Sequence, residues 1–248
     1  MKKSSLKILL ALYTSTKKPL YLDYFQLQLV LENISYAGLR SSISQMKKKN
    51  LLHTQLLMKK LNICITDIGK RELEAQFPAF SPRLRDWQGE LSCMVFLTAP
   101  KTDKQFRYLR NVLISAGCLQ ISRGVYATPG SFSETIINEC QNSYQKSVTV
   151  FTINKYIFND LQGLIMQQQS ITQLVQSYSG ISKEINHLLN LNRQVASFTQ
   201  SQKDQFFSVF DRLFENLVND KGLMNYYFPQ VVSAMSLLTH LQQILTTI

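Results

Sequence analysis

The chain has 248 residues, 45% of them hydrophobic, and its 27 basic and 16 acidic residues give a net charge of +11. That length allows substantial buried cores and fits two or three small domains better than one large one. No apolar run reaches the ~18 residues of a membrane span, and the stretch after Met1-Lys-Lys is too short for a secretory signal, so a cytoplasmic protein with no membrane partner is expected.

Leu6, Leu9, Leu10 and Tyr13 recur at helical spacing and predict a first amphipathic helix, and residues 27–34 are apolar enough for a second. Ser35 suits an N-cap, and Leu39, Ile43 and Met46 then form the apolar stripe of a third helix. At about 100° per residue, Ala37, Ser41, Ser44 and Lys48 fall opposite that stripe, with Arg40 and Lys47 on its flank. A groove-reading helix needs this combination. Small residues let the backbone approach the bases, hydroxyls bond base edges or phosphates, and cations hold the phosphates. An ordinary surface helix with a solvated lysine run has the same pattern.

The next residues favour the groove-reading helix. Residues 51–57 and 61–66 are short runs rich in large apolar residues, separated by Met58-Lys59-Lys60, and predict two strands joined by a basic turn. Thr66 or Asp67 then caps another helix. Helix, helix, recognition helix, wing, helix is the order of a winged helix-turn-helix, expected over residues 1–78. Its contacts with double-stranded DNA are expected at Ser35, Tyr36, Arg40, Ser41, Ser44, Lys47 and Lys48 of the helix and at Lys59 and Lys60 of the wing. Residues 1–71 hold 13 basic and 3 acidic residues, so +10 of the +11 lies in the segment that would neutralise phosphates.

Pro78 and Pro82 mark a boundary, and residues 79–86, with Arg83 and Arg85, read as a linker. Residues 91–98 are apolar at nearly every position, as a central strand is. Thr102-Asp-Lys-Gln105 fits a capping box for a helix carrying Phe106, Leu109, Leu113 and Ala116, which Gly117 stops. Residues 120–128, with Arg123-Gly124 in the middle, suit a strand or a hairpin ended by Pro129. Ser131-Phe-Ser-Glu134 is a second capping box opening a helix to Tyr144, and residues 147–153 form a β-branched strand. The series predicts a ferredoxin-like α+β domain over residues 87–154.

From residue 155 to 248 only helical periodicity is present. Its stripes are Ile171, Leu174, Val175 and Tyr178, then Phe206, Phe210, Leu213, Phe214 and Leu217, then Val231, Met235, Leu238, Leu241 and Leu245. An all-α C-terminal domain is expected, and the fold class as a whole is α+β multidomain. Cys64, Cys93, Cys118 and Cys140 are widely spaced without Cys-x-x-Cys, the usage of reduced structural thiols. His53, His187 and His240 are far apart, and no Gly-rich phosphate loop or Gly-x-Ser-x-Gly occurs, so no enzyme, metal or cofactor is expected.

Ile34-Ser-x-Ala-x-Leu-Arg-Ser-x-Ile-Ser-x-Met, Asn50-Leu-Leu and Ile65-Thr-Asp-Ile-Gly-Lys-Arg come first in a series of motifs. Trp87-Gln-Gly89, Phe96-Leu-Thr-Ala-Pro100, Arg107-x-x-Arg-x-x-Leu-x-x-x-Gly117 and Gly124-Val-Tyr-Ala-Thr-Pro129 come next. Asp160-Leu-Gln-Gly-Leu164, Asp211-Arg-Leu-Phe214, Asp220-Lys-Gly-Leu223 and Phe228-Pro229 complete it more loosely. In order and spacing these resemble the PaaX family of bacterial transcriptional repressors over nearly the whole chain. The resemblance implies a dimeric DNA-binding repressor released by an acyl-coenzyme A such as phenylacetyl-coenzyme A. Leu91 stands where relatives often carry a second Trp, Lys101 where an acid follows the strand's proline, and Lys221 where a proline follows the aspartate.

One recognition helix contacts few base pairs, so specificity calls for a homodimer on a palindromic operator. For an acyl-coenzyme A effector, Arg107, Arg110 and Arg123 would supply cations for its phosphates and the Phe/Tyr-rich helical segment an apolar slot. The middle segment also resembles the small ferredoxin-like nuclease of CRISPR adaptation modules. Metal-dependent cleavage there would need a carboxylate at or near the first strand. None lies within residues 91–99, and Asp86, Glu90 and Asp103 flank it. The alternative function is therefore a defence- or mobile-element-linked DNA-processing protein with a nuclease-like middle domain.

Overall fold

The computed structural model describes residues 1–247 apart from residues 32–33, 58–59, 86, 99–103, 145, 158–159, 169 and 193–197. It is a mixed α/β structure with two small antiparallel sheets and a helical C-terminal region. The chain forms two compact units, Met1–Ser81 together with Thr172–Ile248, and Pro82–Ile171.

Helix α1 (Lys3–Leu12) is buried at every residue from Lys7 to Leu12 and so has no solvated face over its last turns. Helix α2 (Tyr24–Gln28) starts earlier than the apolar run suggests, because Asp23 and Gln26 form a capping box around its first turn. Helix α3 (Tyr36–Lys48) is capped by Ser35, whose Oγ accepts the Gly38 N–H at 3.1 Å, and it buries Leu39, Ile43 and Met46. Asn50 ends it in the left-handed region (φ 56°), and the Leu51 N–H bonds back to the Met46 carbonyl at 3.0 Å. Such an ending satisfies the last carbonyls and sends the chain straight into a strand.

That strand is β1 (Leu52–Leu57), antiparallel to β2 (Lys60–Ile65) with Leu52 opposite Ile65 and Leu56 opposite Leu61. Leu22 pairs with Ile63 on the far side of β2. Helix α4 (Asp67–Gln76) is capped by Thr66 and packs its first turn onto the chain at Leu51. A Cβ at Gly69 would lie 2.3 Å from the Leu51 carbonyl oxygen. Because the obstacle is backbone, Gly69→Ala is expected to cost about 1–3 kcal/mol, as overpacking does, and to lower the urea midpoint of the purified protein. A short 3₁₀ turn, Pro78–Phe80, ends this stretch.

The second unit opens with helix α5 (Pro82–Arg85), followed by β3 (Leu91–Phe96), α6 (Lys104–Ser115), β4 (Leu119–Ser122), β5 (Val125–Pro129), α7 (Glu134–Tyr144), β6 (Val148–Ile153) and α8 (Gln162–Gln168). Its sheet has the order β4-β5-β3-β6, with every neighbouring pair antiparallel. The alternatives open at residues 120–128 resolve into a hairpin, turned at Arg123-Gly124 with Gly124 at φ 80°. Helix α7 begins at Glu134, directly after Ser133, whose Oγ accepts the Ile136 N–H at 3.4 Å. The expected cap at Thr102 lies outside the described residues. Met94, Phe96 and Tyr126 of the sheet pack with Phe106, Leu109 and Leu113 of α6 and Ile136 and Cys140 of α7 in one apolar core. All four cysteines are buried and stand outside any disulfide, and burial pushes the Cys140 thiol up to about 11.

The remaining helices are α9 (Ile171–Asn192), α10 (Gln200–Asn219), α11 (Met224–Tyr227) and α12 (Ala234–Thr247). Val231 precedes α12, because Ser233 accepts the Ser236 N–H at 3.1 Å and sets the helix start. Buried Asp220, at the end of α10, accepts the Tyr178 hydroxyl of α9 at 2.9 Å and the Gly222 N–H at 2.8 Å. Burial raises its carboxyl above the ordinary range, with these two donors opposing the shift. Where the sequence suggests a helical domain beginning at residue 155, the helices from Thr172 share a compact unit with Met1–Ser81. Gln242 of α12 donates to the Ala11 carbonyl at 3.0 Å and the Tyr13 carbonyl at 2.7 Å, both at the end of α1. Lys7 of α1 pairs with Asp211 of α10 at 2.5 Å, and Gln26 of α2 donates to the Leu245 carbonyl at 2.8 Å. These links tie α1 and α2 to α10 and α12.

Candidate nucleic-acid interface

Three local devices give α3 its exposed face. The Ser35 cap fixes its start, the buried stripe of Leu39, Ile43 and Met46 fixes its rotation, and the Asn50 turn fixes the hairpin beside its end. Tyr36, Arg40, Ser41, Ser44, Lys47 and Lys48 are all exposed as a result, together with Ser35. Arg40 lies over the Tyr36 ring at 5.9 Å, and the Tyr36 ring is 5.5 Å from that of Tyr24. The guanidinium is thereby steered along the helix surface by an aromatic face. Burial holds the Tyr24 hydroxyl above its ordinary range, Tyr36 adding to the shift and Arg40 opposing it. That hydroxyl stays neutral around pH 7 and adds no negative charge to the patch.

The cations are not equivalent. Lys47 donates to the Thr54 hydroxyl of β1 at 2.8 Å, so it ties α3 to the hairpin while its charge remains exposed. Lys60 approaches the Asp23 carboxylate at 3.6 Å, which offsets part of its charge. Lys48 and neighbouring Lys49 are exposed at the end of α3. Lys59, expected at the tip of the turn, lies outside the described residues. Beyond the residues expected from the sequence, Gln45 and Lys49 are also exposed on α3 and at its end, and His53 and Gln55 form an exposed polar face on β1. A shallow depression of about 500 Å³, which Tyr24 and Phe25 share with Tyr36, Arg40 and Leu61, is likewise unexpected. The Asp23-x-x-Gln26 capping box is the signal in the sequence that could have placed Tyr24 and Phe25 beside α3. Such a surface can hold phosphates at its cations and offer hydroxyl, amide and aromatic groups to base edges.

In the other unit, Arg110 of α6 donates to the Gln120 side chain of β4 at 3.5 Å. Burial raises the Tyr126 hydroxyl pKa, and the positive charges of Arg110 and then Arg123 oppose the rise. Arg107 is exposed on the same helix as Arg110, one turn earlier. Among the described residues no group of three or more His, Cys, Asp or Glu side chains is placed to hold a metal ion. Asp86 and Asp103 lie outside those residues, and Glu90 is exposed. Among the described residues, too, no helix is long and apolar enough to cross a membrane.

No model of a protein family matches the chain, and no curated protein matches it. Among solved structures it is similar to the uncharacterized protein Rv0674 of Mycobacterium tuberculosis, with 17% identity and a TM-score of 0.47 over 97% of this chain and 92% of that one.

Proposed function

We propose that this chain is a sequence-specific DNA-binding transcriptional regulator: a cytoplasmic repressor that reads a palindromic operator as a homodimer. The observation that carries the reading is α3, which exposes Ser41, Ser44 and Lys48 opposite a buried stripe and Arg40 on its flank, and runs directly into the β1–β2 hairpin. In this reading α2 and α3 are the helix-turn-helix, α3 enters the major groove and the hairpin is the wing. The concentration of +10 of the +11 net charge in residues 1–71 supports it, since that charge is what phosphate neutralisation needs. The strand order β4-β5-β3-β6, with α6 and α7 between strands, supports a ferredoxin-like middle domain of the kind the PaaX resemblance implies.

The effector in this reading is an acyl-coenzyme A, its phosphates met by the exposed Arg107, Arg110 and Arg123. Its coupling to DNA binding belongs to differential affinity for two conformations, which operator titrations with and without the ligand measure.

The testing experiment is selection of bound duplexes from a random pool, followed by titration of the enriched sequence at several salt concentrations. The expected result is a palindromic consensus, with log affinity falling linearly in log salt by about 0.9 per phosphate contacted. A pool that yields no enriched sequence would overturn the proposal.

A further inference from the structure

The two edges of the β4-β5-β3-β6 sheet are finished differently. At β4 the register slips between Gln120 and Ser122. Gln168 of α8 closes that edge, its Oε1 accepting the Gln120 N–H at 3.1 Å and its Nε2 donating to the Gln120 carbonyl at 2.5 Å. A bulge and a covering side chain are how natural sheets prevent further strands from adding. Among the described residues, no side chain bonds the backbone of β6 in this way. Its sequence, Val148-Thr-Val-Phe-Thr-Ile153, contains no charge, proline or glycine, and Val150 and Phe151 are 43% and 47% exposed.

The hydrogen-bond alternation shows which backbone groups of β6 face outwards. Leu97 N–H donates to the Ser147 carbonyl at 2.8 Å, and Phe96 N–H to the Gly124 carbonyl at 2.7 Å. Alternate residues of an antiparallel strand bond opposite neighbours. With the register Leu91 to Ile153 and Phe96 to Val148, Thr149, Phe151 and Ile153 therefore turn their N–H and C=O groups to β3. Those of Val148, Val150 and Thr152 point to the open edge.

We propose that β6 pairs with β6 of a second copy of this chain, antiparallel about a two-fold axis through Val150, giving one sheet continuous across the dimer. A two-fold axis normal to a sheet keeps every residue on its own face, so only residues of the same alternation can oppose each other. Centring on Val150 sets Val150 against itself and Val148 against Thr152, and every outward-facing group of the strand finds a partner. Centring on Phe151 would leave Val148 opposite Asn154, beyond the end of β6. Exposed Lys146 and Lys155 flank the strand and, being of like charge, confine the ladder to this run. A strand of 6 residues offers less area than the ~800 Å² per partner of a standard interface, so association in the micromolar range is expected. The strand pairing deepens the homodimer of the proposed function and rests on that reading for the use of the interface.

The test is sedimentation velocity of the full chain without DNA, from low to high micromolar concentration. The wild type should dimerise. Val150→Lys and Val150→Glu should each remain monomeric with unchanged circular dichroism, because Val150 faces its own copy and like charges then meet across the axis. Mixing the two variants should restore a dimer, the introduced lysine facing the introduced glutamate. If Val150→Lys loses its melting transition, Thr152→Pro takes its place with the same expected loss of dimer, because the Thr152 N–H points to the open edge and a proline there removes a hydrogen bond of the pairing alone. A wild type that stays monomeric, a folded edge variant that stays dimeric, or a mixture that does not reassociate overturns the pairing. A dimer that enriches no DNA sequence overturns the DNA-binding reading alone, and a monomer that does enrich one overturns the strand pairing alone.

Discussion

Replacing Arg40 and Lys48 together with alanine is expected to abolish most of the sequence-specific affinity while leaving the fold intact, since both side chains are exposed. If Arg40 reads a base as proposed, Arg40→Ala alone should cost about 1–3 kcal/mol, roughly 5- to 150-fold, with relaxed preference at one operator position. Lys48→Ala should instead act as the loss of a phosphate contact, weakening all sequences alike and flattening the salt slope by about one unit. Tyr36→Ala should fall between them, because the guanidinium loses the ring that lies 5.9 Å beneath it. Gel shifts on the selected operator measure all three. Unchanged affinity in a double variant of native circular dichroism would sink the assignment of α3 as the reading helix.

Gln242→Ala is expected to destabilise the unit built from Met1–Ser81 and Thr172–Ile248 by about 2–4 kcal/mol, because two buried carbonyl groups lose their donor in one substitution. The loss should appear as a lower urea midpoint with an unchanged slope. Neighbouring Gln243 is exposed, and Gln243→Ala should stay within about 0.5 kcal/mol of the wild type. Equal midpoints for the two variants would show that α12 only lies against α1 and does not hold it. At concentrations of urea where Gln242→Ala is still folded, its DNA affinity should match the wild type, which separates stability from recognition.

The parts of the molecule legible in the residue pattern are those whose causes are local. The Ser35 cap, the Leu39/Ile43/Met46 stripe, the Arg123-Gly124 turn and the alternation of strands and helices in residues 91–153 depend on neighbours within a few positions, where dihedral preference and side-chain reach decide the outcome. The exposed face of α3 comes from that stripe by helical geometry alone. The start of α2 is also local, set by the capping box at Asp23, although the apolar run after residue 27 suggests a later one. Partnerships between distant residues are not legible. Gln242 reads as a polar position on the last helix, yet it is buried against carbonyls 229 and 231 residues away. Lys7 reads as one more cation of the basic segment, but its charge is spent on Asp211, and Lys47 and Lys60 are likewise drawn to Thr54 and Asp23. Which edge of the second sheet is closed depends on Gln168 reaching back to Gln120. Side chains of this kind satisfy backbone groups or charges across the fold, and their partners exist only once the chain has brought those groups within a hydrogen bond's length.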